Sequence, residues 1–495
     1  MLRPWELNMD VVRASGTSIH VQIAHKIIEE IQRGRFSPGA VLPGTREFAS
    51  RIKVNRKTVI QAYDELIAQG WLTSESKRGT FVSTRVLTIN NSGLSIAPIR
   101  QFSAKPLLND HVTPMLNKRQ THDFIHFSDG LPDARLIPFE MLSRAMRHAL
   151  ITSARNNKLG YGDPKGAIIL REALAHMLNM ERGLHAKTEN ICVVRGSQMG
   201  IFVIAKTFIT AGDFVAVEQL GNPLARETIK NCGANILSVS HDAEGIDVGD
   251  LERLCLKQKV SAVYVTPHHH IPTTVTMSLS RRIKLLALAE QYDFLIIEDD
   301  NDHEFNFSRS PTLPIASMPK SKRVIYIGSL SKVLTPSLRL GYIVAPEEII
   351  HLCANQVMLI DRQGNQITEL AVAELLHTGE IKKHILRMLK IYEERRNYLF
   401  NLLHKELGEY LSFDLAESGL AFWLKIDPCI NIHELIKEAE FQKVRFQVGR
   451  LYSLQENQVS AIRMGFANLN NAELAQGVSR LKSAFVRQHI NLLSA

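Results

Sequence analysis

The amino-acid sequence predicts two folding units: a small, mainly helical unit at the N-terminus and a larger α/β unit behind it. Three observations carry this expectation. Apolar residues recur at helical spacing through most of residues 18–70. Short apolar runs alternate with helical stretches from Phe124 onward. Between them, residues 85–121 lose periodicity and are rich in Asn, Ser and Pro, which reads as a linker too long for a connection inside one domain.

The composition bounds the function classes. At 495 residues the chain exceeds what one hydrophobic core holds. With 45% apolar and 22% charged residues it has a globular rather than a disordered profile. No apolar run reaches transmembrane length, and the opening MLRPWELNMD lacks the apolar core of a secretory signal, so a cytoplasmic location without a membrane partner is expected. Cys192, Cys232, Cys255, Cys353 and Cys429 are scattered with no C-x-x-C pair, which suggests core residues rather than disulfides or a metal site.

In the first unit, residues 12–84, Ile19, Ile23, Ile27, Ile28 and Ile31 mark an amphipathic helix that stops at Gly34. The breakers in FSPGAVLPG follow, and Thr45 is expected to cap a short helix, REFASRIK. Asn55 is the expected N-cap of a third helix that buries Val59, Ala62, Tyr63, Leu66 and Ile67 and closes at Gly70. WLTSESKRGTFVS then gives two short strands around a basic tip. Three helices and a hairpin make a winged helix-turn-helix.

The net charge of +9 suggests a polyanionic partner. Residues 1–90 hold 13 Lys and Arg against 8 Asp and Glu, so the surplus is concentrated here. On charge alone an ordinary solvated helical surface explains this equally well. The third helix, however, opens with Arg56, Lys57 and Thr58, two cations and a hydroxyl suited to a major groove. The stretch LPGTREFASRIKVNRKTVIQAYDELIAQGWLTSESKRGTFV resembles the DNA-binding domain of the GntR family, which usually has Ser at the position of Gly44 and often Ser at that of Asn55. The resemblance implies a double-stranded DNA operator approached by Arg46, Arg56, Lys57, Thr58, Arg78 and Gly79.

The second unit, residues 122–490, shows strand-like runs ICVVR, DFVAVE, NILSVS, AVYVT, FLIIED and VIYIGS, with helical stretches such as Gln198 to Phe208, Asn222 to Cys232 and Ser280 to Tyr292 between most of them. This predicts a mainly parallel sheet. After about Ile381 a long charged helix and a smaller α+β subdomain are expected.

Four features of this unit converge on one cofactor. Gly196, Ser197 and Gln198 open a helix after a strand, where free N–H groups favour a phosphate. Asp299 ends an apolar strand, at the edge where open α/β sheets hold ligands, and can pair with a protonated pyridine nitrogen. In GSLSKVLTPSLRLG, Lys332 can form a Schiff base while Ser329, Ser331 and Arg339 hold a phosphate. Arg463, in AIRMGFA, can bind a carboxylate bidentately. The combination describes pyridoxal phosphate.

In this order the residues resemble fold-type I aminotransferases. With the winged helix, and with FSDGLPDARLIPF, LGYGDPKGAIILREAL, VTPHHHIPTTVTMSLSRR and RMLKIYEERR, the chain resembles the MocR subfamily of GntR regulators over nearly its whole length. The resemblance implies a transcription factor that senses a small amine, an amino acid or the cofactor itself through pyridoxal phosphate on Lys332, as a head-to-tail homodimer. It also implies that Arg463 receives the effector's carboxylate. Two other functions stay open: a working aminotransferase with an accessory DNA-binding domain, and a regulator that has lost the cofactor.

The departures bear on that choice. Asn222 in EQLGN stands where the subfamily has a ring-stacking Tyr, and Asn301 in EDDND stands where it has a Tyr near the cofactor's phenolic oxygen. In HHIPTT, His270 replaces a common Gln and Thr274 a common Gly. His269 and His270 could face the cofactor or effector, or be satisfied loop residues. The altered tyrosine positions argue against efficient turnover, since turnover needs a tightly oriented ring, while the retained Lys332, Asp299 and Arg339 argue against loss of the cofactor.

Overall fold

A computed structural model describes residues 9, 11–12, 16–76, 78–84, 123–300, 302–308, 312–319, 321–454 and 459–493. The expected linker, residues 85–121, and Asn301 lie outside these. The chain divides into two units, one within residues 1–107 and one within 108–495.

In the first unit, helices α1 (Ile19–Gln32), α2 (Thr45–Arg51) and α3 (Arg56–Ala68) precede an antiparallel hairpin of β1 (Leu72–Glu75) and β2 (Gly79–Val82). The apolar spacing does what it predicts: α1 buries Ile23, Ile27 and Ile31, and α3 buries Val59, Ala62, Tyr63 and Leu66. Ile67 is only half-buried. Asn55 caps α3 by accepting the Lys57 N–H at 2.8 Å. The expectation for Thr45 is corrected. Gly44 occupies the N-cap of α2 and has no side chain to offer, while Thr45 is the first helical residue and its hydroxyl accepts from Arg56 Nε at 3.3 Å.

The second unit is built on a seven-stranded sheet. Its strands are β3 (Ile191–Val194), β4 (Phe214–Glu218), β5 (Asn235–Val239), β6 (Val260–Val265), β7 (Leu295–Asp299), β8 (Val324–Ser329) and β9 (Gly341–Val344), in the order β3-β9-β8-β7-β6-β4-β5. Only β9 runs antiparallel to its neighbours. β9 is absent from the expected strands. It has four residues and begins at Gly341, where a Cβ would meet the Gly196 backbone at 2.7 Å, so only glycine lets the two segments close up. The near-continuous burial of β3, β6, β8 and β9 is what a sheet covered on both faces requires, while the edge strand β5 buries only Val239.

A 28-residue helix, Glu380–Leu407, leads to a smaller antiparallel sheet of β10 (Leu411–Ser412), β11 (Ala421–Ile426), β12 (Gln447–Val448) and β13 (Ala461–Gly465), ordered β10-β11-β13-β12. The segment Ile125–His126 pairs in parallel with Val444–Arg445. The start of the second unit therefore packs into its C-terminal subdomain and brings the FSDG stretch beside β13. Among the described residues, no helix is long and apolar enough to cross a membrane.

Replacing Asn55 by Ala strands the Lys57 N–H at the start of α3. We expect a loss of about 1 kcal/mol of stability in the first unit, and only a few tenths for Asn55→Gly, read by urea unfolding followed by circular dichroism.

Candidate functional site

The site lies at the carboxyl ends of β6, β7 and β8, the crevice where open α/β sheets bind ligands. Glu298, Asp299 and Asp300 are all buried there rather than solvated. Strand alternation separates them. Glu298 accepts the Ile315 and Ala316 N–H groups at 2.7 and 2.8 Å. Asp300 accepts Arg182 Nη2 at 2.5 Å and the Tyr326 hydroxyl at 2.6 Å. Burial raises Glu298 to about 7, whereas the Arg182 charge overcomes burial and holds Asp300 well below the usual carboxylate range. Asp299 faces the other way. Tyr264 donates to its Oδ2 at 2.6 Å, and its Oδ1 is buried without a partner. Burial lifts Asp299 to about 6, against the pull of the Tyr264 bond.

Lys332 Nζ, half-buried, donates to Asp302 Oδ2 at 2.7 Å. Ser331 N–H donates to Ser329 Oγ at 3.2 Å, and Ser331 Oγ is buried without a partner. Ser329 Oγ donates to the Leu340 carbonyl at 3.4 Å. Arg339, itself at φ +50°, lies against Gly196 and donates Nη2 to the Arg195 carbonyl at 2.9 Å. Gly196 has φ +79°, and a Cβ there would meet Arg339 Nη2 at 2.9 Å. The structure thus brings Arg339 onto the N-terminus of the helix Ser197–Phe208. Gln198 turns its amide away, to Thr228 Oγ1 at 2.6 Å, so its backbone N–H is what it offers to a phosphate. A cavity of about 690 Å³ adjoins Gln198 and Arg339 but does not reach Asp299 or Lys332.

These residues fit pyridoxal phosphate on their own geometry. The orphaned Asp299 Oδ1 is an acceptor suited to a ring N–H, and the orphaned Ser331 hydroxyl and the Arg339 guanidinium are donors suited to a phosphate. Sequence reasoning missed Tyr264 and Asp302. Tyr264 passes for a core residue of β6, and nothing in EDDND marks Asp302, which takes φ +65°, as a lysine partner.

The departures have local reasons. Asn222 caps the helix Pro223–Asn231, accepting from Leu224 and Ala225 N–H at 3.1 and 3.4 Å. Thr274 adopts φ +66°, a region costly for a β-branched residue and natural for the Gly of similar sequences. His270 is satisfied by Thr273 Oγ1 at 2.5 Å and the Leu220 carbonyl at 3.0 Å. His269 is different: Ser418 Oγ lies 3.1 Å from Nδ1, but Nε2 is buried without a partner. Burial first, then the Arg463 and Lys332 charges, hold its pKa well below the usual value and keep it neutral.

Arg463 is fully buried in β13. Its Nε donates to Asp129 Oδ1 at 2.6 Å and its Nη1 to the Pro272 carbonyl at 2.7 Å. In the first unit, Arg46, Arg56, Lys57, Arg78 and Gly79 are exposed and Thr58 is half-buried. Arg56 and Lys57 open α3, and Arg78, at the hairpin tip, pairs with Glu75 at 2.5 Å.

Residues 19–82 match the family model for bacterial regulatory proteins of the gntR family, and residues 125–481 match that for aminotransferase class I and II. The chain is 29% identical over 480 residues to a probable rhizopine catabolism regulatory protein MocR of Rhizobium meliloti, covering 96% of this chain and 95% of that one. It is 28% identical over 389 residues to an aromatic-amino-acid aminotransferase 1 of Thermococcus litoralis, covering 77% and 93%. Among solved structures, a multiple substrate aminotransferase from Thermococcus profundus superposes with a TM-score of 0.70 at 27% identity, covering 76% of this chain and 97% of that one. The chain belongs to the aminotransferase class I and II family, preceded by a DNA-binding region of the gntR family in the architecture of the MocR regulators.

Proposed function

We propose that the protein is a DNA-binding transcriptional regulator that senses a small amine or amino acid, or the cofactor itself, through pyridoxal phosphate bound as a Schiff base to Lys332. The observation that carries this reading is the set of Lys332, Asp299, Ser331 and Arg339 in a chain whose first unit exposes Arg56 and Lys57 at a helix N-terminus. The bound group supplies an electrophilic carbon for an amine and an electron sink. The chain's residues do the rest. Asp299 holds the ring nitrogen's proton, Tyr264 orients Asp299, and Ser329, Ser331, Arg339 and the N–H groups of Gly196, Ser197 and Gln198 hold the phosphate. Arg463 is the cation offered to an effector carboxylate. Arg46, Arg56, Lys57, Thr58, Arg78 and Gly79 approach DNA.

A ligand shifts such a regulator only through a difference in its affinity for two conformations. A homodimer is part of the reading. It is supported by the apolar side chains that the second unit leaves exposed, Tyr161, Ile168, Ile169 and Leu359 among them. The second reading, a working aminotransferase, is favoured by the same lysine and aspartate. It is disfavoured by Asn222, which caps a helix and offers no aromatic ring for stacking.

Three outcomes test the proposal. The purified chain with added cofactor should absorb in the visible, and Lys332→Ala should abolish that band; a colourless wild type sinks the reading. Sustained keto-acid formation from amino donors would promote the enzyme reading above it. Arg56→Ala should weaken binding to duplex DNA selected on the wild-type chain and lower the slope of log affinity against log salt by about one; unchanged binding places another helix in the groove.

Asp299 gives a pH test. Its folded pKa, about 6, lies above its ordinary value, so its contribution is fully present below about pH 4 and is lost as pH rises through 6. Cofactor-free wild type should therefore lose stability relative to Asp299→Asn across this window, on the order of 3 kcal/mol, measured by urea unfolding at successive pH values.

A further inference from the structure

Arg463, the cation offered above to an effector, already holds a carboxylate supplied by its own chain. Asp129 Oδ1 accepts from its Nε at 2.6 Å, and the side chains are 44% exposed for Asp129 and 1% for Arg463. The carboxylate, not the guanidinium, is what meets an arriving ligand. Asp129 is also built in. Ser128, beside it, accepts the Gly465 N–H at 2.8 Å from β13, and a Cβ at Gly465 would meet the Ser128 carbonyl at 2.6 Å. Buried Tyr452 is hydrogen-bonded to Asp129 as well; burial and that negative charge hold its phenol well above the usual pKa.

We propose that Asp129 is a specificity-determining residue: an internal carboxylate that competes with an effector's carboxylate for Arg463 and biases the pocket toward primary amines that lack one. The proposal rests on reading the domain as an amine sensor. A buried guanidinium without a counter-charge is strongly destabilised, so an amino-acid effector must either exchange its carboxylate for that of Asp129 or share one guanidinium between two anions. The internal competitor is tethered, so it is present at high effective concentration. The apparent affinity of a carboxylate ligand falls by the fraction of molecules in which Arg463 is open. An amine without a carboxylate needs no such opening. Were Asp129 only a neutralising partner, its removal would change stability and leave the discrimination between the two ligand classes as it was.

The test uses the full chain loaded with pyridoxal phosphate, titrated with L-alanine against ethylamine and L-lysine against cadaverine while the visible band is followed. In the wild type each amine should bind at least as tightly as its amino acid. Asp129→Ala should tighten the amino acids about tenfold and leave the amines within about threefold. Asp129→Asn, equal in size and uncharged, should shift in the same direction and replaces the alanine variant if that one does not fold. An unchanged amino-acid-to-amine ratio, or weaker amino-acid binding, overturns the proposal. The cofactor-free chain gives a second readout: propionate should raise the melting temperature of Asp129→Ala and not that of the wild type, and equal responses overturn the proposal. A wild type without a visible band defeats the cofactor reading alone, and the propionate comparison still decides the role of Asp129.

Discussion

Three consecutive buried carboxylates at the end of β7 constrain the rest of the site. Burying one carboxylate costs several kcal/mol unless it is paired or hydrogen-bonded, and here Glu298, Asp299 and Asp300 must all be accommodated. The two-residue period of a strand divides the problem. Glu298 and Asp300 share one face: the first accepts two backbone N–H groups, and the second accepts Arg182 and Tyr326 on Oδ2 while its Oδ1 is buried without a partner. Asp299, alone on the other face, accepts only Tyr264 and likewise keeps one oxygen without a partner. The neighbours that hold Asp300 come from a helix and from the adjacent strand, so satisfying it also fixes β7 and β8 relative to each other and hence Asp299 relative to Lys332. The unsatisfied oxygen of Asp299, on the face away from Arg182, is a cost that a ligand N–H would remove.

What could be read in the sequence was what local spacing determines. The helices of the first unit, the Asn55 cap and six of the seven strands follow from periods of 3.6 and 2 within a few residues of each position. β9 escaped because four residues beginning with glycine carry too little pattern, and its antiparallel course is set by pairing with β8 and β3. Lys332, Asp299 and Arg339 could be proposed from the sequence because their residue types are chemically restrictive. Their partners were not. Tyr264 reaches Asp299 across 35 residues, Asp302 reaches Lys332 across 30, Arg182 reaches Asp300 across 118 and Asp129 reaches Arg463 across 334. No window of sequence holds both ends of any of these bonds.

The departures from similar sequences likewise acquire physical content only in three dimensions. Asn222 is a good residue for a helix N-cap, and as such it accepts two N–H groups. Thr274 holds a left-handed backbone where glycine is cheaper by roughly 1 kcal/mol or more. His270 is engaged on both ring nitrogens and His269 on one, and burial first, then the Arg463 and Lys332 charges, keep His269 neutral.

Arg463 has a feature that bears on sensing against turnover. Its guanidinium is held by a carboxylate of the chain, Asp129, at 2.6 Å. In a catalyst, internal partners that must be displaced before substrate is held lower the population of competent molecules and reduce the rate at every cycle. In a receptor the same exchange is useful, because the free energy needed to break the internal pair sets the concentration at which the ligand begins to shift the equilibrium. An internal ion pair at the position proposed for a ligand carboxylate therefore fits a protein whose output is a change of state better than one whose output is product. The regulator reading thus draws support from the second unit's own electrostatics as well as from the DNA-binding region that precedes it.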